Sequence, residues 1–204
     1  MQQNLLFSYT KKGLLFILSA PAGTGKTTLV QMLTREFSCV KANVSCTTRA
    51  PRPNEFDKRD YFFITKEVFE EKIKKNDFLE YAEVFGHYYG TCRETVWQQQ
   101  EQGNHVFLVI DTQGAMQLKG KVDAVFVFIK PPSITELRRR LLDRQTETME
   151  VLERRLSWAE KELEIATEYD YQIVNEDLQI CYQVLRSVVI AESHRTRTLS
   201  THLV

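Results

Sequence analysis

Short apolar runs alternate along this chain with longer stretches whose apolar residues recur every three or four positions. The runs 14–18, 105–110 and 125–129 are near-continuous in Leu, Ile, Val and Phe, the pattern of strands buried on both faces. Positions 26–37 read as a helix, with Leu29, Leu33 and Phe37 at i, i+4 and i+8. Ser133-Ile134-Thr135-Glu136 forms a capping box after Pro131-Pro132 and opens an arginine-rich helix. Thr91-Cys92-Arg93-Glu94 reads as a second capping box, whose helix ends before Gly103. A further strand is expected over 171–174. Strands alternating with helices predict βαβ units, hence an α/β fold with a mainly parallel sheet flanked by helices.

Two stretches break the alternation. Positions 43–91 are rich in aromatics, Thr and Arg, with Pro51 and Pro53, and predict a small β-rich insertion. Positions 135–168 are highly charged, with little apolar periodicity before Val151, and predict a helical lid. The expected core is then 13–42, 92–134 and 169–192, within a single domain that ends in a polar tail over 193–204.

Composition narrows the class. The 204 residues fit one domain with an insertion at roughly 150 residues per domain. A hydrophobic fraction of 43% and a charged fraction of 26% exclude disorder, collagen-like repeats and a coiled-coil rod. The 27 basic and 27 acidic residues cancel, which removes the global electrostatic case for nucleic acid or an anionic membrane. Cys39, Cys46, Cys92 and Cys181 are scattered without a CxxC pair, so neither a disulfide framework nor a zinc site is expected. A reducing, cytoplasmic setting is the simplest reading. Lys11-Lys12, the following apolar run and Ala20-Pro21-Ala22 mimic a secretory leader. Cleavage there would discard a predicted strand and begin the chain inside the loop described next, so the strand reading is preferred. No apolar run approaches the roughly 18 residues of a membrane span.

The loop Ala20-Pro21-Ala22-Gly23-Thr24-Gly25-Lys26-Thr27-Thr28 lies between a buried strand and a helix. In that context successive backbone N–H groups and the helix N-terminus form a cage for phosphate oxygens. Lys26 reaches the β- and γ-phosphates of a nucleotide, and Thr27 offers its hydroxyl to Mg²⁺. The alternative is an ordinary glycine turn before a helix. Ala20 stands where the motif's first glycine belongs; were positive φ required there, it would cost roughly 1 kcal/mol. The run 106–110 ends in Asp111, placed to hold a metal's water shell or to meet a substrate at the sheet edge.

Ser45-Cys46-Thr47-Thr48-Arg49-Ala50-Pro51-Arg52 sets two guanidiniums three residues apart, suited to a dianionic monophosphate. With Asp60-Tyr61-Phe62-Phe63, with Phe78-Leu79-Glu80-Tyr81-Ala82-Glu83 and Gly86-His87-Tyr88-Tyr89-Gly90-Thr91, and with Asp111-Thr112-Gln113-Gly114, the chain resembles the guanylate kinase family, in order, from about 13 to 192. The resemblance implies a P-loop kinase fold and transfer of the ATP γ-phosphoryl group to GMP or dGMP, with Mg²⁺. It further implies that Arg49, Arg52, Tyr61 and Tyr89 hold the GMP phosphate, and that Ser45, Glu80 and Thr91 address its base with Asp111 nearby. Independently, one carboxylate accepts from both N1–H and N2–H₂ of guanine, a donor pair adenine lacks.

By the same resemblance, lid residues Arg140, Arg144 and Arg155 converge on the transferring phosphate, while Asn175 lines the adenine pocket. Arg138, Arg139 and Arg154 read as solvated helix residues. Three positions depart from the family pattern: Ala20, Val109 in place of an Asp two residues before Asp111, and Gln145 in place of a glycine after Arg144. The partners expected are ATP and GMP or dGMP, with no nucleic acid or membrane, in a monomer or homodimer. Two other readings stay open here: a catalytically inactive module of the same fold that binds phosphopeptides, and a related P-loop kinase acting on a sugar phosphate. Glu80 argues against the latter, and the intact Gly25-Lys26-Thr27 against the former.

Overall fold

A computed structural model of the chain describes residues 6–7, 12–143 and 149–196. Its centre is a five-stranded, all-parallel sheet in the order β2-β7-β1-β8-β9. The strands are β1 (Leu15–Ser19), β2 (Val40–Ala42), β7 (His105–Val109), β8 (Val125–Lys130) and β9 (Tyr171–Val174). Alternate residues of β1 feed opposite faces, as the two-residue strand period requires. Phe16 and Leu18 join Leu29, Leu33, Leu185 and Val189 beneath α1 (Lys26–Glu36) and α7 (Leu178–Ser193). Leu15 and Ile17 join Val96, Ala115 and Leu118 beneath α3 (Arg93–Glu101) and α4 (Thr112–Leu118).

The predicted insertion folds on itself. Strands β3 (Cys46–Thr47), β4 (Phe62–Phe63), β5 (Phe78–Val84) and β6 (His87–Cys92) form a second sheet in the order β4-β3-β6-β5. Helix α2 (Lys66–Lys74), capped by the Thr65 hydroxyl, covers it. Phe69 stacks on Phe78 at 4.5 Å and on Tyr88 at 5.2 Å, a small core separate from the central one.

The lid segment is two helices, α5 (Ile134–Leu142) and α6 (Met149–Ile165), followed by a 3₁₀ turn over Ala166–Glu168. Here the expectation of little apolar periodicity is corrected. Leu137 and Leu141 form a stripe on α5 that packs against Leu152, Leu156 and Ala159 of α6. Ser133 caps α5 by accepting from the N–H of Glu136 at 3.0 Å. The second capping box is also corrected: Cys92 is the N-cap of α3 with no side-chain cap bond, and Thr91 is a buried residue of β6. Arg144, Gln145 and residues 197–204 of the tail lie outside the described residues.

Candidate functional site

The parallel register sets the ends of β1 and β7 side by side: Leu18 pairs with Val109, and the Ile110 N–H donates to the Leu18 carbonyl at 3.3 Å. Both chains therefore leave the C-terminal edge together, one into the 20–28 loop and one into Asp111. That edge is where open parallel sheets bind ligands. A cleft of about 330 Å³ opens there, lined by the loop, the insertion and the lid helix α6.

On the loop side, Ala22, Gly23, Gly25, Lys26, Thr27 and Thr28 face the cleft, with Ala20 at its base. Gly25 has φ 91° and immediately precedes α1, so a left-handed residue aims the first helical N–H groups into the loop. Ala20 is not among the residues with positive φ, so the strain considered for it does not arise. Lys26 Nζ donates to the carbonyls of Ala20 and Pro21. Pro21 and Thr24 are buried; the Thr24 hydroxyl donates to the Pro21 carbonyl at 2.7 Å. Asn175, expected at an adenine pocket, is 4% exposed and donates from Nδ2 to the Thr24 carbonyl at 2.7 Å. It braces the loop from behind and does not line the cleft.

The insertion supplies Ser45, Arg49, Arg52, Tyr61, Glu80 and Tyr89 to the same cleft. Arg49 donates to both carboxylate oxygens of Glu55, at 2.9 and 3.0 Å, and to the Tyr89 hydroxyl at 3.2 Å. Glu55 also accepts from the Arg52 N–H at 2.8 Å, which ties the two arginine segments to one carboxylate. The guanidinium of Arg49 lies 5.6 Å from the Tyr61 ring centre, and Tyr61 meets Tyr89 edge-on at 5.9 Å.

Glu80 owes its direction to a β-bulge. Phe78 pairs with Cys92 and Glu80 with Thr91, so β5 spends one residue more than β6 at Leu79. Without that bulge, Phe78 and Glu80 would share a face, being two apart. With it, Phe78 packs into the Phe69 core while Glu80 turns into the cleft. Burial pushes the Glu80 carboxyl up to about 7; the Asp111 charge adds to the rise, and Thr91 opposes it. Thr91 itself is buried behind Glu80 and does not line the cleft.

Asp111 caps α4 by accepting from the Gly114 N–H at 2.8 Å through Oδ1. Its Oδ2 is buried with no hydrogen-bond partner among the described residues. Burial raises this carboxyl, partly countered by the Gly114 N–H and by the Lys26 charge. Val109 lines the wall beside it.

The lid contributes differently from expectation. Arg155 lines the cleft, but Arg140 does not: it donates to Glu136 at 2.7 Å. Glu136 is held down to about 2 by Arg139 first and Arg140 second. Arg138 pairs with Glu153 at 2.7 Å, Arg139 with Glu136 and Asp143, and Arg154 with Glu150, all away from the cleft. Trp158 and Glu162 are cleft residues that the sequence reading missed, as is Phe85 at the tip of the β5–β6 hairpin. Arg155, Trp158 and Glu162 fall at i, i+3 and i+7, a helical face that periodicity alone would have revealed. Glu162 is 5% exposed, and burial raises its carboxyl to about 7 against the lowering charge of Lys26.

Comparison with known proteins shows the family. A family model described as guanylate kinase matches residues 12–192. The guanylate kinase of Protochlamydia amoebophila (strain UWE25) is 59% identical over 191 residues, covering 94% of this chain and 97% of that protein. That of Chlamydia muridarum is 47% identical over 182 residues, 89% of each. The crystal structure of guanylate kinase from Anaplasma phagocytophilum matches with a TM-score of 0.77 at 33% identity, covering 93% of this chain and 90% of that one.

Proposed function

The chain belongs to the guanylate kinase family, nucleoside monophosphate kinases that act as ATP:GMP phosphotransferases, and from that premise we propose how its own residues divide the work. GMP or dGMP sits across the insertion, with guanine N1–H and N2–H₂ donating to Glu80, the Ser45 hydroxyl beside the base, and Thr91 supporting Glu80 from behind. Arg49 and Arg52, with Tyr61 and Tyr89, take the monophosphate in the place where Glu55 now engages Arg49. ATP lies on the 20–28 loop, whose N–H groups and Lys26 hold the β- and γ-phosphates. Asn175 braces that loop. Arg155 faces the transferring group from α6, Arg140 reaches it only if the lid rearranges, and Arg144 is assigned there by family resemblance alone.

The observation that carries this reading is the buried carboxylate of Glu80, in one cleft with the phosphate loop and the arginine–tyrosine cluster. Leaving such a carboxylate unpaired costs about 1–3 kcal/mol or more, so a base without the donor pair is rejected. The acceptor phosphate is already anionic at neutral pH, so no side chain forms a covalent intermediate. Positioning and charge stabilisation supply the catalysis.

The residues also fit a Mg²⁺ ion carried with ATP. Asp111 Oδ2 is buried, has no partner among the described residues and shares the cleft with Lys26 and Thr27, the place for a second-sphere acceptor. Among the described residues no cluster of three or more Asp, Glu, His or Cys forms an all-protein metal cage. That composition suits an ion held mainly by phosphates and waters, with the Thr27 hydroxyl as its protein ligand. When bound, Mg²⁺ neutralises charge on the β- and γ-oxygens.

A coupled assay of ADP release with GMP, dGMP, AMP and UMP as acceptors tests the assignment. Turnover confined to GMP and dGMP is expected. Preference for AMP, or no turnover with any acceptor, would overturn it. Glu80→Gln should lose guanine selectivity while keeping ATP affinity, and equal loss of both would remove Glu80 from its proposed role.

A further inference from the structure

Two sulfurs meet inside the sheet that carries the base-facing residues. Cys46 on β3 and Cys92 at the end of β6 are free thiols whose Sγ atoms lie 3.5 Å apart. A disulfide holds its sulfurs at about 2.05 Å, so a modest approach separates this pair from a covalent bond. Cys39 and Cys181 belong instead to the central core.

The position of the pair gives it leverage. Cys46 directly follows Ser45 and Cys92 directly follows Thr91. In the β3–β6 register Cys46 pairs with Gly90, which makes Cys46 and Cys92 diagonal neighbours on adjacent antiparallel strands. Backbones at such diagonal positions stand roughly 7–8 Å apart, more than a disulfide ordinarily spans, so bond formation must draw or twist the two strands together. Ser45 and Thr91 ride on those strands.

The two thiols are not equivalent. Cys92 is half-buried and caps the N-terminus of α3, where helix N–H groups favour a thiolate. Its hydrogen bond with Cys46 and the Lys72 charge hold the Cys92 thiol below its ordinary range, against burial, Asp77 and Glu94. Cys46 is 2% exposed, and the same hydrogen bond together with burial pushes its thiol up. One sulfur is set to attack an oxidant, and the other waits behind it as a thiol.

We propose that Cys46 and Cys92 form an oxidation site, at which a peroxide converts Cys92 to a sulfenic acid and Cys46 closes it to a disulfide that weakens GMP binding. The effect on GMP rests on the roles proposed above for Ser45, Glu80 and Thr91. In the first step the Cys92 thiolate attacks one peroxide oxygen; the O–O bond breaks, hydroxide leaves, and the peroxide is reduced as the sulfur loses two electrons. In the second, the Cys46 sulfur attacks the Cys92 sulfur; the S–S bond forms, the S–O bond breaks, and the oxygen departs as water with the Cys46 proton. A dithiol reductant reverses the bond by exchange.

The test uses the reduced chain, exposed to hydrogen peroxide, alkylated and mapped by mass spectrometry. A linked Cys46–Cys92 peptide pair is expected, with Cys39 and Cys181 still alkylated. By calorimetry the oxidised chain should bind GMP about tenfold more weakly, a change of about 1.4 kcal/mol, with ATP affinity unchanged. Dithiothreitol should restore GMP binding. Cys46→Ser should bind GMP normally when reduced, yield no linked pair, and leave Cys92 as its oxyacid; Cys92→Ser should resist peroxide altogether. Unlinked Cys46 and Cys92 after peroxide, or a linked pair with undiminished GMP affinity, would overturn the proposal. A reduced chain that binds no GMP counts against the function proposed above, while the peptide map still decides whether the sulfurs join.

Discussion

Glu80 and Gly114 share one small volume: a Cβ placed on Gly114 would stand 2.3 Å from Glu80 Oε2. The glycine of the Asp111-Thr112-Gln113-Gly114 motif is in helix α4 with ordinary helical geometry, so no turn requires it. It is there because a carboxylate needs the room. Gly114→Ala should therefore displace Glu80 and lower kcat/KM for GMP about a hundredfold, the scale of an ångström-sized misplacement. ATP binding should be unaffected. Steady-state kinetics with each substrate varied in turn would check it, and an unchanged GMP term would show that Glu80 does not need this position.

The same carboxyl predicts a pH dependence. Held up to about 7 by burial, Glu80 carries a proton on much of the free protein at neutral pH, whereas guanine's two donors require the carboxylate. GMP binding should release a proton and weaken about tenfold between pH 8 and pH 6. The nucleotide's own phosphate titrates in this range as well. Calorimetry on Glu80→Gln retains that contribution and loses the one from Glu80, so the difference between the two proteins isolates it.

Asn175 offers a clean separation of two roles. Its amide braces the Thr24 carbonyl, and a Cβ on Gly25 would lie 2.9 Å from Nδ2, so amide and loop are in tight contact. Asn175→Ala should raise KM for ATP and lower stability by about 1–3 kcal/mol, leaving KM for GMP alone. If bracing is the whole role, GTP and ATP suffer equally as donors. A change in donor preference would instead return Asn175 to the adenine pocket implied by family resemblance.

Glu162 should be a liability to folding at high pH. Its folded value of about 7 lies above the 4.5 of an unperturbed Glu. Below 4.5 both folded and unfolded chains hold the proton and the group costs nothing. Between 4.5 and 7 the folded chain keeps a proton that the unfolded chain releases, so stability declines as pH rises, and above 7 the cost is complete. Glu162→Gln should accordingly stabilise the protein by a few kcal/mol at pH 8, and by little near pH 4. Urea midpoints at the two pH values measure the difference; equal gains at both would assign the effect to packing.

The sheet and its edge were legible because burial on both faces writes itself as continuous apolar runs at 105–110 and 125–129, and because the glycine–lysine loop has to sit between strand and helix. The insertion was legible as a change of character, and the family by its ordered motifs. What stayed hidden were relationships between segments. Nothing local announces that Thr91 abandons its capping box to stand behind Glu80, or that Arg140 is engaged by Glu136 four residues earlier. Leu137 and Leu141 were obscured by the arginines between them, although their spacing suffices to pair α5 with α6. Ala20 was weighed as strained because a motif expects glycine there, yet the loop's left-handed turns fall at Gly23 and Gly25.

The extra residue at Leu79 has a consequence that no inventory of cleft side chains would reveal. Because strand faces alternate with period two, Phe78 and Glu80 can serve opposite faces only because Leu79 is left out of the ladder between them. Deleting Leu79 would set Phe78 and Glu80 side by side on a regular strand, still on opposite faces, so the guanine reader should keep its aim; drawing Leu79 into the ladder instead would turn one of the two away. Discrimination between purines in this chain is, in that sense, a matter of counting.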